Sequence, residues 1–129
     1  MKKILVLDDN KDILNTLHLG LCACLQDCQI LTASNGEKGV VILKNSPVDM
    51  IVTDLDMPVM NGYQFIEQVK RDHPDVPVCV MTGDCSSDDV VARMRALGVS
   101  RCIQKPFPFD KLAAMITEEL HLVPQASLQ

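Results

Sequence analysis

The sequence predicts a single α/β domain: a doubly wound sheet of five parallel strands in the order 2-1-3-4-5, with helices on both faces. Three observations carry that expectation. Short apolar runs alternate five times with longer amphipathic stretches along 129 residues, the rhythm of strand–helix units. The first, third and fourth runs are dense in apolar residues, as strands covered on both faces are. The second and fifth carry Gln29, Thr32, Ser100, Arg101 and Gln104, as edge strands do. Finally, Asp8 and Asp9, Asp54, Thr82 and Lys105 stand where four separate runs end, and in such a sheet ligands bind outside the carboxyl ends of the strands.

The elements follow in order. Lys3 to Leu7 forms the first strand, and Asn10 to Leu25 places Ile13, Leu14, Leu17, Leu21 and Leu25 on one helical stripe. Cys28 to Thr32 is the second strand. Ser34-x-x-Glu37 has the spacing of a capping box and opens a helix carrying Val40, Val41 and Leu43, which Asn45-Ser46-Pro47 ends. Met50 to Thr53 is the third strand, and a loop through Pro58 and Gly62 leads to a helix with Phe65, Ile66 and Val69 facing inward. Val76 to Met81 is the fourth strand. Ser86-Ser87-Asp88-Asp89 caps a helix bearing Val90, Met94 and Leu97, closed by Gly98. Val99 to Gln104 is the fifth strand, and Pro108 suits the first turn of a last helix with Leu112, Ile116 and Leu120 buried. The strand order is that of flavodoxin-like folds. Residues 1–122 read as one domain, and 123–129 as a C-terminal tail that frays.

Composition narrows the function. With 12 basic and 17 acidic side chains the net charge is −5, which argues against direct nucleic-acid binding or attachment to an anionic membrane. No apolar stretch approaches the roughly 20 residues of a membrane span, and Met1-Lys2-Lys3 runs straight into a strand, so a cytoplasmic protein is expected. Six cysteines, at 22, 24, 28, 79, 85 and 102, contain no Cys-x-x-Cys pair and are expected to be reduced thiols.

The strand-end residues point to phosphoryl chemistry. Three carboxylates held together repel one another unless a cation sits among them. Magnesium prefers hard oxygen ligands and commonly combines one or two carboxylates with phosphate oxygens. A lone Asp before a helix would be explained by capping, but an adjacent pair beside Asp54 is not. A carboxylate can also act as nucleophile and form an acyl phosphate. Such transfer asks the protein for positioning and charge neutralisation, which the Lys105 ammonium, the Thr82 hydroxyl and backbone N–H groups after the third strand could supply.

Leu5-Val6-Leu7-Asp8-Asp9-Asn10, Val52-Thr53-Asp54-Leu55-Asp56-Met57-Pro58-Val59-Met60-Asn61-Gly62, Val80-Met81-Thr82-Gly83 and Lys105-Pro106-Phe107 together resemble the receiver domain of bacterial two-component response regulators, from Lys2 to about Leu120. That resemblance implies a signalling phosphoacceptor rather than a turnover enzyme. Asp54 would accept the phosphoryl group, Asp9 would bind magnesium directly, and Asp8 would act through metal-bound water. The main-chain carbonyl of Asp56 would complete the protein ligands, Thr82 and Lys105 would hold phosphoryl oxygens, and the Lys105–Pro106 bond would be cis. Donors would be the phosphohistidine of a sensor histidine kinase or small acyl phosphates. The output would pass through the face made by the fourth helix, fifth strand and fifth helix, to a protein partner or to a second copy.

Departures from the family pattern are specific. Three residues before the lysine, where the family places an aromatic switch, stands Cys102, and Gly83 replaces the usual Ala after Thr82. Asp56 and Asp84 lie where added negative charge would hinder anionic donors; unchanged phosphorylation and dephosphorylation rates in Asp84→Ala would dispose of that idea. Two alternatives stand beside the receiver. Asp54-x-Asp56 also resembles the first motif of haloacid-dehalogenase-type phosphatases, although only Glu118-Glu119 follows Lys105 as an acidic pair. A degenerate receiver acting by protein contacts alone would not need the complete set of strand-end residues.

Overall fold

The computed structural model describes residues 1–122; the expected tail, 123–129, lies outside them. The elements are β1 (Lys2–Leu7), α1 (Lys11–Cys24), β2 (Cys28–Ala33), α2 (Gly36–Asn45), β3 (Met50–Asp54), α3 (Gly62–Asp72), β4 (Val78–Thr82), α4 (Asp88–Ala96), β5 (Arg101–Gln104) and α5 (Phe109–Glu119). All neighbouring strands pair in parallel, and the sheet order is β2-β1-β3-β4-β5. The expected order and strand depths both hold: Ile4 to Leu7 are wholly buried, whereas β2 and β5 mix buried with accessible positions.

Alternation along each strand divides the core in two, because successive side chains point to opposite faces. Ile4, Val6, Met50, Val52, Cys79, Met81 and Ile103 pack on one face with Leu14, Leu17 and Leu21 of α1 and Leu112 and Ile116 of α5. Leu5, Leu7, Ile51, Val78 and Val80 pack on the other with Leu43 of α2, Phe65, Ile66 and Val69 of α3, and Met94 of α4. Two helices therefore cover one face and three the other. Every loop that follows a strand emerges at the same edge of the sheet.

Several local expectations are corrected. The cap of α2 is Asn35, whose side chain accepts the Lys38 N–H at 2.8 Å, so Ser34 lies one residue too early for the expected box. A reciprocal capping box occurs instead at α3, between Asn61 and Gln64. Ser87 precedes α4 without a side-chain cap, and Ser86 turns back, its N–H and hydroxyl donating to Asp84 Oδ1 at 2.9 and 2.7 Å. Ile13 and Val41 sit at the margins of their stripes and are exposed. β4 begins at Val78, after Pro77, which cannot donate to a ladder, and β5 begins at Arg101. Gly98 ends α4 as expected, with a φ of +73° that an L side chain rarely adopts.

The cysteines do not all remain free thiols. Cys85, in the β4–α4 loop, and Cys102, on β5, form a disulfide across a Cα–Cα distance of 6.1 Å. The expectation of six reduced thiols rested on compartment and on the lack of a Cys-x-x-Cys pair, whereas the loop folds back over β5 and brings two distant positions together. Cys22, Cys24, Cys28 and Cys79 are free. Burial pushes the Cys79 thiol up to about 12, making it an inert packing residue.

Candidate functional site

Strand register assembles the site. Leu7 pairs with Thr53, Asp54 with Met81, and Thr82 with Gln104, so the residues at and just beyond those ends share one edge. Asp8 follows β1 and is almost fully buried at 1% exposure. Its Oδ1 accepts the Asn10 N–H at 2.9 Å, fixing the turn into α1. Asn10 then caps that helix by accepting from the Asp12 and Ile13 N–H groups. The first helix is thus anchored to the Asp8 carboxylate.

Asp54 ends β3 and is 8% exposed. Its Oδ1 accepts the Leu55 N–H at 2.8 Å and, more weakly, the Asp56 N–H at 3.4 Å. Lys105, immediately after β5, reaches back across the crevice. Its Nζ lies 2.7 Å from Asp8 Oδ2 and 3.1 Å from Asp54 Oδ2. Asp8, Asp9 and Asp54 can each offer an oxygen within 4.8 Å of the others, the one such cluster among the described residues.

The charges are unbalanced. Burial raises the Asp54 carboxyl above its ordinary value; the Lys105 ammonium opposes this, and the nearby charge of Asp8 adds to it. For Lys105, burial alone would lower the ammonium, but hydrogen bonds and charges from Asp8 and Asp54 outweigh it and raise it. One ammonium therefore serves a cluster of three carboxylates, and hard oxygens in excess suit a divalent cation.

The raised Asp54 value has a sign that can be measured. An acid whose folded value is raised contributes stability below its ordinary value, about 3.9, and loses it as pH rises through the folded value. In metal-free buffer Asp54→Asn is therefore expected to gain stability relative to wild type as pH rises across that interval, followed by urea denaturation. A difference independent of pH would contradict it.

Thr82 ends β4, its carbonyl accepting the Lys105 backbone N–H at 2.8 Å and its hydroxyl accepting the Asp84 N–H at 3.4 Å. The Asp84 carboxylate is held below the usual range by its hydrogen bonds to Ser86, so it is engaged in shaping the loop. The Lys105–Pro106 peptide is cis, as the resemblance implied. Glu118 and Glu119 pair with Arg101, at the start of β5 and so at the opposite edge from the crevice. They cannot serve as the acidic metal pair that a phosphatase of the dehalogenase type would need.

Asn61 and Gly62 stand in the segment that resembles the receiver family, but neither was assigned its structural role. Asn61 followed by Gln64 carries a legible capping-box spacing. Gly62 gave no such sign: its N–H donates to the Leu55 carbonyl at 2.9 Å, and a Cβ there would collide with the Asp54 carbonyl oxygen and Leu55 Cα.

Comparisons with known proteins agree with this architecture. The family model of the response regulator receiver domain matches residues 4–117. The chain is 34% identical over 114 residues to the transcriptional regulatory protein PrrA of Mycobacterium tuberculosis, covering 88% of this chain and 48% of that protein. It is 31% identical over 117 residues to the transcriptional regulatory protein GlrR of Escherichia coli, covering 91% of this chain and 26% of that one. The chain thus spans about half, or a quarter, of these relatives. Chemotaxis protein CheY4 of Vibrio cholerae superposes with a TM-score of 0.84 at 24% identity, covering 93% of this chain and 99% of that chain. A response regulator receiver domain from Clostridium thermocellum superposes at 0.82 with 27% identity, covering 94% and 95%. A family match over almost all of the described residues, on a sheet of the expected order, makes this chain a member of the response regulator receiver domain family.

Proposed function

We propose that, in the cytoplasm, Asp54 accepts a phosphoryl group from the phosphohistidine of a sensor histidine kinase, or from a small acyl phosphate, in a magnesium-dependent reaction. The carrying observation is the crevice itself: three carboxylates able to place oxygens within 4.8 Å, two of them bonded to Lys105. The donor set fits magnesium, which Asp8, Asp9, Asp54 and the main-chain carbonyl of Asp56 would hold. When bound, the ion supplies charge neutralisation for a phosphoryl oxygen.

The chain's own groups do the remaining work. Backbone N–H groups of Leu55 and Asp56 hold Asp54 Oδ1, which orients the carboxylate and leaves Oδ2 turned toward Lys105. Attack by the carboxylate on phosphorus breaks the phosphorus–nitrogen bond of phosphohistidine, releasing the imidazole, or the phosphorus–oxygen bond of a small acyl phosphate, releasing its carboxylate, and leaves an acyl phosphate on Asp54. Lys105 neutralises one phosphoryl oxygen, and the Thr82 hydroxyl donates to another. The domain assists its own phosphorylation and dephosphorylation and works as a signalling element.

Output passes through the face of α4, β5 and α5, where the new bond to Thr82 shifts an existing equilibrium toward a form that binds a protein partner or a second copy. A net charge of −5 favours a protein over nucleic acid as the target of this domain. The test exposes wild type and Asp54→Asn to acetyl phosphate with and without magnesium, followed by intact mass and oligomeric state. Wild type should acquire a phosphoryl adduct only with magnesium, and the variant none. An adduct persisting in Asp54→Asn would overturn the assignment.

A further inference from the structure

Cys85 stands three residues after Thr82, and Cys102 three residues before Lys105. One lies in the loop that leaves the phosphoryl-facing end of β4, the other on β5 opposite Val80. Their disulfide ties that loop to the strand leading to Lys105. The tie is reinforced locally: the Cys85 N–H donates to Gln104 Oε1 at 3.3 Å, and the Asp84 N–H donates to the Thr82 hydroxyl at 3.4 Å. Thr82's hydroxyl is thus engaged with its own loop, while Lys105 is engaged with Asp8 and Asp54. Accepting from Asp84 leaves the Thr82 proton free to donate, but the hydroxyl can move toward a phosphoryl group on Asp54 only as far as the loop bonded to it follows. A bond anchoring that loop three residues away limits the movement.

Placement also separates this pair from the other cysteines. Cys79 is sealed in the core, Cys22 and Cys24 lie in α1, and Cys28 lies on β2, at the opposite edge of the sheet from β5. Cys85 and Cys102 are each only half-buried, on a loop and an edge strand, so a small reagent can reach them. They enclose α4, one element of the face through which output passes.

The geometry points to Cys85 and Cys102 as a reversible thiol–disulfide modification site, oxidised by low-molecular-weight disulfides, whose oxidised form restrains the Thr82 loop and slows phosphoryl uptake. The effect on uptake rests on the phosphoacceptor reading above; the modification itself does not. In the exchange, one protein thiolate attacks a sulfur of the small disulfide, whose own S–S bond breaks and releases a small thiolate. The second protein thiolate attacks the protein-side sulfur of the mixed disulfide, forming the Cys85–Cys102 bond and releasing the second small thiolate. Two protein sulfurs lose two electrons, the reagent gains them, and the two thiol protons end on the released thiols. A small dithiol drives the reverse exchange.

The test uses the full chain, fully reduced and then held in either oxidised or reduced glutathione. Three readouts apply: peptide mapping of cross-links after free thiols are blocked, amide hydrogen exchange over residues 83–87, and the initial rate of phosphoryl uptake from acetyl phosphate with magnesium. Oxidation should yield the Cys85–Cys102 peptide, slow exchange in the loop, and lower the uptake rate by roughly fivefold or more, all reversed by dithiothreitol. The Cys85→Ser/Cys102→Ser variant should take up phosphoryl at a rate that ignores the oxidant.

Absence of the cross-link, or loop exchange identical in both forms, would overturn the site. Equal uptake rates in the two forms would overturn the effect on signalling. If neither form took up phosphoryl, the acceptor reading and the uptake claim would fall together, while cross-linking and exchange would still decide the thiol site.

Discussion

Lys105→Ala is expected to destabilise the metal-free protein by about 2–3 kcal/mol, and magnesium is expected to recover most of that loss. Asp8 is 1% exposed and Asp54 8%, and the lysine ammonium bonds both carboxylates. Removing one partner of a buried ion pair costs on the order of 3–5 kcal/mol because the other charge is left uncompensated. The lysine side chain is 26% exposed, so water screens part of the interaction and brings the cost down to about 2–3 kcal/mol. A ligand that binds only the folded state at about 100 times its dissociation constant returns about 2.7 kcal/mol. Urea denaturation in EDTA and in excess magnesium measures both quantities. Equal stability of wild type and variant in EDTA would show that Lys105 does not compensate the carboxylates.

Gly62→Ala should lower stability by about 1–3 kcal/mol and impair phosphoryl acceptance as well. Alanine is intrinsically the better helix residue, by roughly 1 kcal/mol at most. Here that gain is outweighed. The added Cβ would meet the Asp54 carbonyl oxygen and Leu55 Cα, which are backbone atoms and cannot rotate aside, and overpacking of this kind costs roughly 1–3 kcal/mol. The only relief is to move α3 away from β3 or to displace the end of β3, and Asp54 sits at that end. Gly83→Ala is the control: a Cβ there meets nothing within 4 Å, so its effect should stay within about 0.5 kcal/mol. Thermal denaturation and acetyl phosphate uptake of the two variants make the comparison, and a Gly62→Ala protein as stable as wild type would contradict the close-packing account.

The fold was legible because periodicity and burial answer to the same physics. Unbroken apolar runs became the central strands β1, β3 and β4, and polar interruptions such as Gln29 and Arg101 marked β2 and β5 as edges. Asp8, Asp9, Asp54, Thr82 and Lys105 were legible as a group because a parallel sheet brings all strand ends to one side, whatever their separation in sequence. Individual caps were less so. Ser34 and Asn35 both have suitable side chains, and which one caps α2 depends on a one-residue difference in where the chain enters the helix, while Ser87 holds the cap position of α4 without its side chain bonding. Gly62 and the Cys85–Cys102 pair were illegible for a different reason. Each depends on how closely a loop approaches a strand distant in sequence, and no local spacing encodes that distance.

The central claim is that phosphoryl transfer occurs on the side chain of Asp54. Borohydride reduction converts an aspartyl phosphate to homoserine while leaving free carboxylates unchanged, so treatment after acetyl phosphate and magnesium, followed by peptide sequencing by mass spectrometry, marks the acceptor directly. Homoserine at position 54, dependent on magnesium, is the predicted result. Homoserine at Asp8, Asp9 or Asp56, or at no position after full exposure to donor and magnesium, would contradict it.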